Sequence, residues 1–374
     1  MDPMRVAVIG RTGRGDYGHA IDELWLDIPR TRLVAVADDS EEGLAKAVGR
    51  LGLDASAGYR EWRRMLATVK PDIVVLCMRH VDCHAEMALT AVAGGAKGVF
   101  MEKPFVTTAA EADAVVDACT RADAKLGLAF VNRHGPTYGV VRELVEDGRI
   151  GRLLELRGRG KEDQRGGGED LWVLGSHILD MMADLGGGPT WCQATVTVEG
   201  RPITKADARP GPEGLGLIAG DAVHATFGFA DGPVGSFASV RDAGLKQPPF
   251  GLMLVGTKGA IHLRSDQIPH AFFREAPLWR VDREFPWRPI GPAGIDDPPP
   301  AADADRTRER ASWARRAAID LVDAILTDRE PTTGMYAGRT TVEMTAAIFA
   351  SALSGRRLDW PLERSLADRG NPLS

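Results

Sequence analysis

The 374-residue chain has only four cysteines, Cys77, Cys83, Cys119 and Cys192, and no CxxC pair among them. A disulfide-stapled secreted scaffold is therefore excluded, and reduced, mostly buried thiols in a reducing compartment are expected. Basic charge is not in excess: 46 Lys and Arg stand against 52 Asp and Glu, a formal net charge of −6. That argues against nucleic acid or an anionic membrane surface as a partner. No run approaches 18 apolar residues, so no membrane span is expected. No basic segment followed by an apolar one opens the chain, since Met4-Arg5 leads directly into a strand. A cytoplasmic location is the resulting expectation. Internal repeats, a metal-ligand cluster and a nucleophile elbow are also missing from the sequence. What is present is 44% hydrophobic and 26% charged residues in a chain long enough for two domains.

The first half alternates strand and helix patterns. Arg5 to Ile9 is a short apolar strand, followed by Gly10-Arg11-Thr12-Gly13-Arg14-Gly15-Asp16-Tyr17-Gly18 and then by helical spacing at Ile21, Leu24, Trp25 and Ile28. Strand, glycine turn and helix in this order make a phosphate cradle, because glycines let backbone N–H groups approach a pyrophosphate. Gly10, Arg11, Thr12, Gly13 and Gly15 are the candidate contacts. The register is unusual, with Thr12 where the second glycine of the motif belongs. The next strand, Arg32 to Ala37, ends in Asp38-Asp39. Asp38 is expected to accept from the adenosine ribose hydroxyls and to repel a 2′-phosphate, which favours NAD over NADP. Further strands are expected at Asp72 to Met78, Val99 to Met101 and Leu126 to Val131. Helices fall at Glu41 to Leu51, Tyr59 to Val69, Asp82 to Ala93 and Ala109 to Ala122. This alternation predicts a doubly wound parallel sheet. Arg79, at the end of one strand, is a candidate for the nicotinamide side.

The stretch Gly98-Val99-Phe100-Met101-Glu102-Lys103-Pro104 organises the rest. A buried strand runs into a charged pair that a proline stops. Glu102 and Lys103 then stand at the carboxyl end of a parallel strand, where ligands bind in open α/β sheets.

With these residues in view the chain resembles the Gfo/Idh/MocA family of oxidoreductases. The resemblance rests on Val8-Ile9-Gly10 with its turn, Glu102-Lys103-Pro104, Asn132-Arg133 before Pro136, Glu143-Leu144 to Gly151, and Gly355-Arg356-Arg357-Leu358. It implies a Rossmann domain over residues 1–131 and a substrate-binding and oligomerisation domain over 132–374, whose final helices pack back on the first. The second domain is expected to be α+β, with a large, open, mostly antiparallel sheet. A nicotinamide cofactor, sugar or polyol substrates, and homodimers or homotetramers are implied as well. The family's Gly-x-His-x-x-Asp pattern falls on Gly175, His177 and Asp180. The resemblance makes His177 the acid/base and Lys103 the electrostatic aid. Cofactor contacts are expected from Glu102 and Lys103, and substrate contacts from Asn132, Arg133, Lys161, Asp170, Trp172, His177 and Asp180. One departure stands out: Val173 occupies the position where the family often has an aspartate. Asp170, three residues earlier, is the candidate replacement.

In the second half, Pro136 to Asp147 is an amphipathic helix and Leu153 to Arg159 alternates like a strand. The stretch Lys161 to Asp170, with three consecutive glycines, reads as a polar, flexible loop. A helix follows to about Leu185, then strands at Gln193 to Val198, Ala222 to Phe229, Val234 to Val240, Gly251 to Gly256 and Ala260 to Arg264. Arg241 and Lys246 read as sheet-face charges more readily than as ligand residues. Asp282 to Arg310 reads as a long loop, a lid or an oligomer contact, before helices at Trp313 to Leu326 and Thr340 to Leu353.

Three functions fit this reading. The leading one is an NAD-dependent dehydrogenase of a sugar, sugar derivative or cyclitol. The second is a lyase or glycoside-cleaving enzyme that holds NAD tightly and oxidises its substrate only transiently. The third is a non-catalytic NAD-binding regulatory protein.

Overall fold

The computed structural model describes residues 2–246, 249–297, 305–362 and 370–374. The chain divides into two compact units. The first comprises Met1–Val131, Pro212–Gly216 and Arg306–Val342; the second comprises Asn132–Gly211, Leu217–Asp305 and Glu343–Ser374.

The first unit is built on six parallel strands: β1 (Met4–Ile9), β2 (Thr31–Ala37), β3 (Gly58–Tyr59), β4 (Ile73–Leu76), β5 (Gly98–Met101) and β6 (Lys125–Leu128). Their order is β3-β2-β1-β4-β5-β6, which places the switch point between β1 and β4. Every residue of β4, β5 and β6 is buried. Such strands are covered on both faces, which is why they read as unbroken apolar runs. The connecting helices are α1 (Glu41–Arg50), α2 (Trp62–Val69), α3 (His84–Ala93) and α4 (Ala109–Ala122). Ser40 caps α1 by accepting from Gly43 N, and Thr108 caps α4 by accepting from Glu111 N.

The α-helix expected after the glycine turn does not form. Two 3-10 turns, Gly18–Ala20 and Glu23–Leu26, stand in its place. His19 and Ala20 have φ of 51° and 53°, in the left-handed region that no α-helix contains. Ile21, Trp25 and Ile28 are nevertheless buried. The helical spacing in the sequence marked a buried face correctly and its backbone incorrectly.

The second unit holds α5 (Pro136–Glu146), β7 (Leu153–Arg159), α6 (Asp170–Val173) and α7 (Gly175–Gly186). The strands β8 (Pro189–Val198), β9 (Arg201–Pro202), β10 (Arg209–Pro210), β11 (Leu217–Ile218), β12 (Ala222–Phe229), β13 (Val234–Val240), β14 (Gly251–Gly256) and β15 (Ala260–Arg264) follow. Then come β16 (Ala271–Arg274), β17 (Arg288–Gly291), β18 (Gly294–Ile295) and β19 (Leu358–Asp359); of the two last helices, α8 (Arg306–Thr327) belongs to the first unit and α9 (Met335–Ser354) crosses the division at Val342. The large sheet runs β18-β17-β16-β15-β14-β7-β13-β12-β8-β19, with β9 paired to β8. Only β7 and β13 pair in parallel; the other pairs described are antiparallel. Helix α7 lies on this sheet because Gly158, next to the last residue of β7, leaves room for Ile178 and Met182.

The segment expected as one long loop, Asp282 to Arg310, instead contains the β17–β18 hairpin and the start of α8; residues 298–304 lie outside the described residues. Helix α8 begins at Arg306, earlier than expected, because its first turn is charged and carries no apolar periodicity. All four cysteines are free and buried. Among the described residues no helix is long and apolar enough to cross a membrane.

The core of the first unit closes around Phe100, which is fully buried and meets Trp25 edge-on at 5.8 Å between ring centroids. Phe100→Ala is expected to cost about 3–5 kcal/mol. Chemical denaturation checks this, and a loss below about 1 kcal/mol would contradict the packing described.

Candidate functional site

In the first unit the candidate residues lie on the loops after β1, β2, β4 and β5. The glycine turn after β1 is closed on itself. Arg11 and Asp16 exchange backbone hydrogen bonds, Arg14 N donates to Arg11 O, and Gly13 N donates to the Asp16 carboxylate. The Tyr17 ring lies flush against Gly10, where any β-carbon would overlap it. Burial pushes the Tyr17 phenol well above its ordinary range, with the Asp38 carboxylate acting in the same direction.

Asp38 is 1% exposed. Its oxygens accept from Thr12 N at 3.1 Å, Thr12 Oγ1 at 2.7 Å and Ser40 N at 2.9 Å. It therefore ties the glycine turn to the end of β2. The exposed acid at this strand end is Asp39, whose carboxylate receives Nε and Nη2 of Arg11 at 2.9 and 2.7 Å. Sequence spacing alone does not distinguish the two neighbours.

After β4, Arg79 N donates to Gly15 O, and a β-carbon on Gly15 would come within 2.7 Å of Arg79 N. The Arg79 guanidinium lies 3.7 Å from Glu213, and Arg14 pairs with Asp82. After β5, Glu102 is 1% exposed and Lys103 8% exposed. Glu102 Oε1 is 2.7 Å from Nδ1 of His19, and Oε2 accepts from Lys103 N. Burial raises the Glu102 carboxyl, but the hydrogen bond and charge of His19 and the charge of Lys103 outweigh it, so the group lies below its ordinary range. The contact between His19 and Glu102 joins residues far apart in the chain and leaves no local sequence signal.

In the second unit the candidate residues lie on β7, the segment after it, α6 and α7. The stretch Lys161 to Asp170 is pinned, which corrects the flexible loop expected from its glycines. A β-carbon on Gly166 would overlap the Val240 carbonyl and Arg241, and one on Gly168 the Ala219 carbonyl. One on Gly167, whose φ is +78°, would lie 2.7 Å from Asp221. These glycines serve close backbone approach. Two buried carboxylates complete the clamp. Glu162 takes Arg159 Nη2 and Val240 N, and Asp170 takes Ser239 Oγ at 2.6 Å and Lys161 N at 2.9 Å. Glu162 and Ser239 carried no signal in the sequence, being one acid in a charge run and one serine in a strand.

His177 is 3% exposed, in the first turn of α7. Arg133 donates to Asp180 at 3.0 Å and also pairs with Asp184, which accepts from the Tyr138 hydroxyl as well. Burial raises the Asp180 carboxyl to about 6 against the pull of Arg133, with Asp184 pushing the same way as burial. Asn132 Nδ2 donates to Ser265 Oγ, and Lys161 pairs with Asp266 at 2.8 Å. Trp172 and Val173 are both buried in α6.

A family model described as "Oxidoreductase family, NAD-binding Rossmann fold" matches residues 4–130, and the GFO/IDH/MocA C-terminal domain matches residues 138–262. The chain belongs to the Gfo/Idh/MocA oxidoreductase family. Levoglucosan dehydrogenase of Pseudarthrobacter phenanthrenivorans is 27% identical over 69% of this chain and 72% of its own length. Myo-inositol 2-dehydrogenase of Thermotoga maritima is 29% identical over 48% of this chain; there the match spans about half of the relative. A solved levoglucosan dehydrogenase, in complex with NADH and levoglucosan, shares the fold with a TM-score of 0.76 at 22% identity, covering 96% of this chain and 100% of that one.

The residues of this family member fit the NAD that its Rossmann unit binds. The exposed Asp39 suits ribose hydroxyls, and Arg11, Arg14 and Arg79 bring positive charge to the ends of β1 and β4. The usual cradle at the N-terminus of a long helix is replaced here by the self-bonded turn and two short 3-10 segments.

Burial raises the Asp170 carboxyl to about 6, against hydrogen bonds from Ser239 and Lys161. A raised native pKa means that the fold holds this proton more tightly than the unfolded chain does. The resulting stabilisation is complete below about pH 4 and is lost as pH rises through about 6, a swing of about 3 kcal/mol. Asp170→Asn is neutral throughout, so its stability relative to wild type is expected to improve from pH 4 to pH 7.5. Denaturant titrations at both pH values check this, and a difference independent of pH would contradict it.

Proposed function

We propose that this chain is an NAD-dependent dehydrogenase that oxidises a hydroxyl of a cyclic sugar, sugar derivative or cyclitol. The observation that carries this reading is Lys103, held one residue beyond the buried Glu102 at the end of β5 in an NAD-binding Rossmann unit. The substrates in the names of its relatives, levoglucosan and myo-inositol, support this substrate class.

NAD supplies the hydride acceptor when bound. Asp39 accepts from the adenosine ribose hydroxyls and repels a 2′-phosphate, while Asp38 holds the turn beneath it. The Lys103 ammonium stabilises negative charge as it grows on the substrate oxygen. His177 takes the hydroxyl proton, a role that suits an imidazole near neutral pH. Asn132, Lys161 and Trp172 contact the substrate in this reading. Arg133, Asp170 and Asp180 act as buried positioning groups, because their charged atoms already hold one another or the loop.

A second reading follows from Val173, an apolar residue where the family often places an aspartate: a redox-neutral lyase that keeps its NAD. Absorbance at 340 nm across sugars, glycosides and inositols with NAD separates the two. A sugar-dependent rise is expected, and Lys103→Ala is expected to lower kcat by about 10²–10³-fold. A flat trace with substrate consumed by chromatography would contradict the dehydrogenase and support the lyase. Cofactor binding with no compound consumed would support a regulatory protein.

A further inference from the structure

The face of the large sheet turned away from α7 carries an arginine with no acid beside it. Gly158, Leu252 and Leu263 stand opposite one another in register on β7, β14 and β15, and Gly158 meets Ile178 and Met182 of α7. Side chains alternate along a strand, so His262 and Arg264 of β15 point to the other face. Phe272 of β16 stands opposite His262 and joins them there. Arg264 ends β15, and the residue opposite it on β14 is Gly251. A β-carbon on Gly251 would overlap the Leu263 carbonyl, so no side chain crowds the guanidinium from that strand.

A cavity of about 450 Å³ opens here, in the size range of small-molecule sites. Arg264 and Gln267 supply its polar lining, and Phe250, His262, Phe272 and Trp287 its rings. The guanidinium lies 5.3 Å from the centre of the Phe272 ring, and Trp287 meets His262 edge-on at 6.3 Å. Among the described residues the Arg264 guanidinium donates to the neutral amide oxygen of Gln267 and pairs with no carboxylate. No Asp or Glu lines this cavity or the adjoining one that shares Pro249 and His262. Burial lowers the Arg264 guanidinium below its ordinary range, and no acid acts against it. Arg165 shows the opposite balance, since the hydrogen bond and charge of Asp163 outweigh its burial. A half-buried cation without a counter-charge costs stability, and the guanidinium fork matches a carboxylate with two parallel hydrogen bonds.

We propose that this cavity binds the carboxylate of a small organic acid with a flat, ring-shaped body, its charge on Arg264 and its ring against Trp287 and Phe272. Burial and the charge of Arg264 lower the His262 imidazole, which is therefore neutral near pH 7 and leaves one positive charge to balance. A monoanion does this, whereas a phosphate dianion brings one charge too many. Every residue of the site lies within the second unit, between Leu217 and Asp305. The proposal does not depend on the dehydrogenase reading, and its test needs no turnover.

Calorimetric titration of the full chain with benzoate, a flat carboxylate, is the test. Saturable binding with a Kd of about 1 mM or below is expected. Benzamide, its neutral counterpart, and inorganic phosphate, which has no body to lie on the rings, are expected to bind at least about tenfold more weakly. Arg264→Met keeps the apolar stem and removes the charge. It is expected to abolish benzoate binding and to melt no lower than wild type, because an uncompensated cation has gone. Trp287→Ala, at the opposite end of the ligand, is expected to weaken benzoate by about threefold or more. No saturable benzoate binding, equal binding of benzamide, or benzoate binding that survives Arg264→Met would overturn the proposal. So would a lower melting temperature in Arg264→Met, which would make the arginine structural, or tighter binding of phosphate, which would exclude the carboxylate class. An acidic side chain of a second copy is the other source of a carboxylate. A change of oligomeric state in Arg264→Met by sedimentation velocity, with no benzoate binding to wild type, would assign the cavity to that contact.

Discussion

Asp38 gives up its contact with water to hold the end of β1 against the end of β2. Three donors from two loops, Thr12 N, Thr12 Oγ1 and Ser40 N, converge on one carboxylate. An unpaired charge in that position would be strongly destabilising, so the turn is constrained to keep supplying its donors. The consequences spread outward. The turn closes on itself, Tyr17 packs on Gly10, and Asp39 is left as the acid that faces solvent with Arg11 beside it.

The same device recurs at each functional position. Glu102 is buried at the end of β5 and holds His19. Glu162, after β7, and Asp170, the first residue of α6, are buried and hold the loop between these elements. Asp180 and Asp184 hold Arg133 beside the helix that bears His177. Buried carboxylates are satisfied by N–H groups and cations within reach, and each pairing fixes a loop in one conformation. A preorganised site of this kind suits oxidation at a hydroxyl, where charge shifts by one proton and one hydride and the surrounding dipoles must already be aligned.

The parallel sheet was readable from sequence because strands buried on both faces leave unbroken apolar runs such as Ile73 to Leu76. Glu102-Lys103-Pro104 was readable as the charged end of a buried strand, whereas His177 stood out only through the resemblance that places the family's pattern on Gly175, His177 and Asp180. Three things were not. The helical spacing from Ile21 to Ile28 reports burial, and a chain of 3-10 turns satisfies it as well as a helix does. The run Gly166 to Gly168 suggested flexibility, whereas its lack of side chains lets it press on the backbone of Ala219 and Asp221, just before β12, and of Val240 and Arg241 at the end of β13. The division of labour between Asp38 and Asp39, and the pairing of His19 with Glu102, depend on contacts between residues 26 and 83 positions apart, which no local pattern encodes.

The central claim is that the N-terminal unit presents an NAD site whose selectivity comes from an acid at the end of β2. Calorimetric titration of the full chain with NADH, and in parallel with NADPH, tests it most directly. The account predicts saturable binding of NADH and at least tenfold weaker binding of NADPH, because Asp39 repels the 2′-phosphate. Absence of NADH binding, or a preference for NADPH, would contradict it.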